Sequence, residues 1–174
     1  MEDIETFIQK AQEGDREAYG SLYKSFYPRI FRYCRINLFN KFIAEDVCQE
    51  VFIKAWIALP KFTIKEGGTF QAFLFRIARN LIIDLSRKKK EVPIEEASDV
   101  PSNEDLIESL SQKENVEVVK KALSKLEEKE RQIIILRYFE DLSHSEVAKI
   151  VGLKDGALRV RTIRLLKKLK EFIK

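Results

Sequence analysis

Residues 143–152 read Ser-His-Ser-Glu-Val-Ala-Lys-Ile-Val-Gly, and Leu153-Lys154-Asp155-Gly156 leads on to Arg159, Arg161, Arg164, Lys167 and Lys168. Guanidinium and ammonium groups at such density hold phosphates, and arginine also pairs with the edge of guanine. The chemistry is reversible binding of a polyanion rather than bond making. Gly152 marks a tight turn between a short helix and a second, basic one, about 144–163 in all. Such a unit lays one helix in a DNA major groove while the other crosses the backbone. Advancing about 100° per residue from Lys154 puts Leu158, Leu165, Leu169 and Phe172 on one core stripe. The opposite face carries Val160, Ile163, Arg164 and Lys167, flanked by Arg159, Arg161 and Lys168. Its apolar tips suit thymine methyls.

Two further helices have faces that a core alone does not explain. Over 43–59, Val47, Val51, Phe52, Ala55, Trp56 and Leu59 point inward, and Asp46, Gln49, Glu50, Ile53 and Ile57 share the other side. Acids mixed with exposed isoleucines fit a protein partner better than water. Over 69–89, Phe70, Leu74, Ile77, Leu81 and Leu85 line a core. Phe75, Arg76, Arg79, Ile83 and Ser86 face outward, and Arg87 to Lys90 extend the charge. Cations interleaved with an aromatic ring suit an unpaired nucleic-acid strand, whose bases stack while the backbone follows the charge.

Other chemistries are poorly supplied. One histidine and two cysteines, Cys34 and Cys48, offer no zinc-ligand spacing, and there is no glycine-rich phosphate loop. His144 reads as a surface residue at a helix start. Asp84 and Glu50 lie on separate helices with no supporting metal motif. No metal, no cofactor and no catalytic group are expected, and the cysteines are expected to be free core thiols. The N-terminus is acidic rather than signal-like, and no apolar run approaches the ~20 residues of a membrane span. No membrane insertion is expected, and the composition reads as that of a reduced, cytoplasmic protein.

These surfaces need scaffolds, and the chain offers helices throughout. With 45% hydrophobic residues in 174, real cores can form. Helices are expected at about 3–13, 15–39, 43–59, 69–89, 104–125, 127–139, 143–151 and 154–173, with Pro28 kinking or splitting the second. Charge is uneven: residues 1–90 carry +5, 91–115 carry −7 and 116–174 carry +6. Two prolines among acids at 91–103 describe a linker. The reading is all-α: two small helical domains, 1–90 and 104–174, joined by an acidic flexible linker, the second holding the helix-turn-helix.

Taken in order, the motifs resemble those of a bacterial RNA polymerase sigma factor of the extracytoplasmic-function type. Glu45-Asp46-Val47-Cys48-Gln49-Glu50-Val51-Phe52-Ile53-Lys54-Ala55-Trp56 resembles the family's region 2.2. Phe73-Leu74-Phe75-Arg76-Ile77-Ala78-Arg79-Asn80-Leu81 resembles the part that melts the promoter −10 element. Leu123 to Leu126 and Glu130 to Arg137 resemble the opening of region 4, and Ser143 to Arg164 its helix-turn-helix for the −35 element.

The resemblance implies an alternative sigma factor that binds core RNA polymerase and directs promoter recognition, −10 melting and initiation. It assigns Asp46, Gln49, Glu50, Ile53 and Ile57 to the polymerase. Phe75, Arg76, Arg79, Asn80, Arg87 and Lys88, with the 61–69 loop, go to the −10 strand. Lys154, Arg159, Val160, Arg161, Ile163, Arg164, Lys167 and Lys168 go to the −35 duplex. It also implies restraint by an anti-sigma factor, since there is room for neither a long autoinhibitory N-terminal region nor an extra middle domain. Family members often carry Ser or Thr where Lys154 stands, so Asp155 is expected to cap the last helix. Thr is common at Ala157, and small or polar groups at Val160 and Ile163, which bears on the bases read. Two alternatives remain: a two-domain helix-turn-helix regulator acting without polymerase docking, and an enzyme on nucleic acid, for which the residues supply little chemistry.

Overall fold

The structure, a computed structural model, describes residues 3–64, 68–91 and 113–174. Its helices are α1 (Ile4–Gln12), α2 (Arg16–Leu38), α3 (Lys41–Ala58), α4 (Phe70–Glu91), α5 (Lys113–Ser124), α6 (Glu128–Ile134), α7 (His144–Val151) and α8 (Asp155–Ile173). A 3₁₀ turn, Leu59–Lys61, follows α3, and a π-helical segment, Ile135–Phe139, continues α6. Among the described residues there is no strand. The linker expected at 91–103 lies outside the described residues except for Glu91, the last residue of α4, and so do residues 65–67 of the 61–69 loop.

The helix starts are set by short polar side chains. Asp15 Oδ1 accepts from the N–H groups of Glu17 and Ala18, Asn40 Oδ1 from Ile43 and Thr69 Oγ1 from Ala72. Each bond satisfies a donor that the first turn would otherwise leave unpaired. Pro28 does not split α2, which runs unbroken from Arg16 to Leu38. Pro28 and Lys24, whose carbonyl loses its i+4 donor, are both exposed on the outer face, where water can supply the partner.

The helices α1–α4 pack around Leu22, Ile30, Val51, Phe52, Ala55, Leu59, Leu74, Ala78 and Ile82. In the second half, α5–α8 close over Leu123, Leu126, Ile133, Val147, Ile150, Leu158 and Leu165. The halves then pack on one another, α4 against α6 and α7, and α2 against α6 and the π segment. Cys34 and Cys48 are free and buried as expected. Burial pushes the Cys48 thiol up to about 12, and Cys34 is raised as well, by burial and by Cys48.

Candidate functional site

The helix-turn-helix is built from its caps inward. Ser143 Oγ accepts from the Glu146 N–H at 3.1 Å, while the Glu146 carboxylate takes the Ser143 N–H at 2.9 Å. This reciprocal capping starts α7. Gly152 ends it at φ 73°, a conformation that costs glycine no Cβ clash. The N–H groups of Gly152 and Leu153 both return to the Ala148 carbonyl. The turn thereby aims α8 across α7.

On α8, Leu158 and Leu165 are buried, and Leu169 and Phe172 are half-buried. Val160 is 51% exposed and Ile163 is 56% exposed, so the apolar tips of the outer face are free of the core. Lys154, Arg161, Arg164 and Lys167 are exposed beside them. Two of the expected cations are engaged: Arg159 Nε with Asp155 Oδ2 at 2.9 Å, and Lys168 Nζ with Glu130 Oε2 at 2.9 Å. The expectation that Asp155 caps α8 is corrected. Lys154 holds the cap position with no side-chain hydrogen bond, and Asp155 sits in the first turn, its carboxylate turned to Arg159. Its charge still favours the positive end of the helix dipole.

On α3, Asp46, Gln49 and Glu50 are exposed as expected, with Glu50 3.6 Å from Lys54. Ile53 and Ile57 are 61% and 72% exposed, although Val47, Val51, Phe52 and Ala55 of the same helix are buried. Beside them runs a groove lined by Arg16, Tyr19, Tyr23, Phe52 and Trp56. The Tyr19 and Trp56 rings lie 4.8 Å apart, and Tyr23 meets Phe52 edge-on at 4.7 Å. The sequence reading missed this aromatic wall because its residues come from two helices, and a single helical wheel shows only one.

On α4 the expected strand-binding face is only partly open. Asn80 and Lys88 are exposed, and Arg87 is exposed with its guanidinium 3.5 Å from Asp84. Arg76 is exposed but donates to the Lys149 carbonyl of α7 at 3.0 Å. Arg79 is half-buried, and desolvation holds its pKa below the ordinary arginine value. Phe75 corrects the sequence reading outright: it is fully buried, edge-on to Tyr33 at 5.2 Å, with the Arg29 guanidinium 5.9 Å from its ring centroid. Tyr33 also reaches Gln132 of the second half, and Arg29, with Arg32 beside it, reaches Glu140. The wheel assumed one covered face, whereas α4 is covered on two. Ile77, Leu81 and Leu85 of the expected core stripe are accordingly only half-buried, and Ala78 and Ile82 take the fully buried places.

The family described as Sigma-70 region 2 matches residues 22–92, which hold most of α2 and all of α3 and α4. The family described as Sigma-70, region 4 matches residues 117–169, from within α5 to within α8. The ECF RNA polymerase sigma factor SigW of Bacillus subtilis is 31% identical over 92% of this chain and 91% of its own length. The chain belongs to the ECF RNA polymerase sigma factors. It is thus an alternative sigma factor, directing promoter-specific initiation by RNA polymerase.

A second relative of this sigma factor is ShbA of Streptomyces griseus subsp. griseus, 31% identical over 98% of this chain and 97% of its own. Among solved structures, CnrH in complex with the cytosolic domain of CnrY superposes with a TM-score of 0.73 at 25% identity, covering 97% of this chain and 95% of that one. The sigma factor RpoE in complex with the anti-sigma factor NepR from Bartonella quintana has the same fold, with a TM-score of 0.73 at 23% identity over 89% and 96%. Among the described residues no helix is long and apolar enough to cross a membrane.

Proposed function

We propose that this sigma factor docks on core RNA polymerase through Asp46, Gln49, Glu50, Ile53 and Ile57 of α3. The observation that carries the reading is the exposure of Ile53 and Ile57 beside acids and an aromatic groove, on a helix whose inner face is already full. An apolar patch rimmed by charge gains by being covered. The −10 strand is then held by Arg76, Arg79, Asn80, Arg87 and Lys88, with Phe75 joining only when the second half moves away from α4. The −35 duplex is read by α8, with Lys154, Arg161, Arg164 and Lys167 free at once and Arg159 and Lys168 released from their acid partners.

The sigma factor itself does no bond chemistry; the polymerase does. It works in the cytoplasm, where polymerase and promoters are, and an anti-sigma protein restrains it. That last reading is supported by the anti-sigma partner of the similar RpoE structure. The test is transcription in vitro with purified protein, core polymerase and a genomic fragment library. A defined set of start sites sharing −10 and −35 elements is expected, absent when core is supplied alone. A chain that binds duplex promoters tightly without polymerase, and starts no transcript with it, is a free-standing regulator instead.

A further inference from the structure

Between the halves lies a charged cluster that none of these surfaces uses. Glu140 is fully buried, and its carboxylate takes Arg32 Nε at 2.9 Å and Arg32 Nη2 at 2.7 Å. Arg29 Nε adds a longer contact to Oε2 at 3.4 Å, and Arg29 Nη2 donates to the Glu140 carbonyl at 2.7 Å. Arg29 Nη1 reaches Gln71 Oε1 on α4 at 2.6 Å, beneath the Phe75 ring. The π segment delivers the carboxylate: the Glu140 N–H closes on the Ile135 carbonyl at 3.0 Å, and Asp141 turns the chain away at φ 53°.

Two guanidinium groups converging on one pair of oxygens hold a phosphate as readily as a carboxylate. Next to the pair, Phe75 holds its ring over Arg29, Arg76 is the next residue of α4, and Arg79 adds a cation one turn along it. Arg79 Nε is buried with no hydrogen-bond partner, so the closed chain leaves a donor there unused. From the second half, Glu140 and Gln132 present acceptor oxygens to this face, a carboxylate and a carboxamide. A nucleotide presents the same two kinds of acceptor, on its phosphate and on its base edge. Resting on the reading of α4 as the −10 surface, we infer that Arg29 and Arg32 form a phosphate site for the unpaired promoter strand, and that Glu140 fills it in the closed chain. Opening of the halves and capture of the strand then compete for the same two guanidinium groups.

The test uses the full chain, a fluorescent thymidine oligonucleotide of roughly 15 nucleotides, and solution X-ray scattering to read domain separation. Glu140→Gln is expected to enlarge the radius of gyration and tighten binding about tenfold, as when a competent state rises from about a tenth of the population. Arg29→Gln with Arg32→Gln loses the same latch and opens too. It binds no tighter than wild type, with a log–log salt slope shallower than that of Glu140→Gln by roughly 1.4. Glu140→Asp, whose shorter side chain cannot span both partners, replaces Glu140→Gln if that variant does not fold.

The proposal is overturned if the arginine double variant binds as tightly as Glu140→Gln, or if Glu140→Gln stays closed or opens without binding better. It is also overturned if a polyglutamate peptide of equal length competes as well as the oligonucleotide, which would assign the pair to acidic protein segments. Adding Arg76→Ala and Asn80→Ala to Glu140→Gln separates the two readings. Binding lost there upholds the α4 surface, and binding retained while the arginine pair still matters overturns α4 alone.

Discussion

The Tyr33 hydroxyl donates to Gln132 Oε1 at 3.0 Å, with both side chains fully buried, and so ties α2 to α6. Burial, and then Cys34, push the Tyr33 pKa well above its ordinary value, so the donor stays protonated. Gln132 Nε2 is held by Glu128 at 3.1 Å, which leaves its oxygen dependent on Tyr33. Tyr33→Phe should therefore strand a buried acceptor and destabilise the docked halves by about 1–3 kcal/mol. Denaturant unfolding gives the loss directly. Adding Gln132→Met should recover part of it, because the orphaned acceptor goes too; a double variant as weak as the single would contradict this account.

Asp46→Lys with Glu50→Lys should abolish binding to core polymerase. Both residues are exposed, so stability should stay within about 0.5 kcal/mol of wild type. A pull-down paired with a melting curve checks both halves of the statement. Ile53→Ser with Ile57→Ser should give the same result by removing apolar contact instead of reversing charge. Retained binding in both variants means that the polymerase sits elsewhere.

Val160 and Ile163 have no hydrogen-bonding group, so on DNA they can discriminate only by apolar contact. Replacing thymine by uracil removes just the methyl. At one or more positions of the −35 element this should weaken binding by wild type, and leave Val160→Ser, Ile163→Ser unaffected. Band shifts over singly substituted duplexes measure it. Uniform tolerance of uracil would show that these two residues do not read the groove.

The buried thiols predict a pH dependence. Cys48 is raised from 9.0 to about 12 in the folded chain, so folding favours its neutral form. That contribution is complete below about pH 9 and is lost as pH rises towards 12. Urea midpoints should fall between about pH 8 and 10.5, and less steeply in Cys48→Ala. Alkylation at pH 8 should be slow in the native protein and fast in urea. An equal pH slope in wild type and variant would remove the thiol from the account.

The face of α3 was readable because its two sides differ in chemistry, with small and branched apolar groups inward and acids with two isoleucines outward. The caps at Asp15, Asn40 and Ser143 act within three residues of themselves, yet the sequence reading named none of them and placed its one cap at Asp155. Phe75 was not readable, because a ring covered by a second domain looks in sequence like a ring offered to a strand. Glu140 was invisible too. It is one acid among many in the chain, and its arginine partners lie 108 and 111 residues away. Pro28 does not split its helix, and whether a proline does so depends on the packing around it, which the residue alone does not fix.

The π-helical turn at Ile135–Phe139 makes this chain sensitive to length at one place. A π turn accommodates one residue more than an α turn of the same rise. Deleting a single residue there would let α6 run on as ordinary α-helix, turning everything after it by about 100°. The helix α8 would keep its own sequence and core, yet point its basic face along a different bearing. An insertion or deletion in this short segment is therefore a rotation of α8 rather than a change in reach.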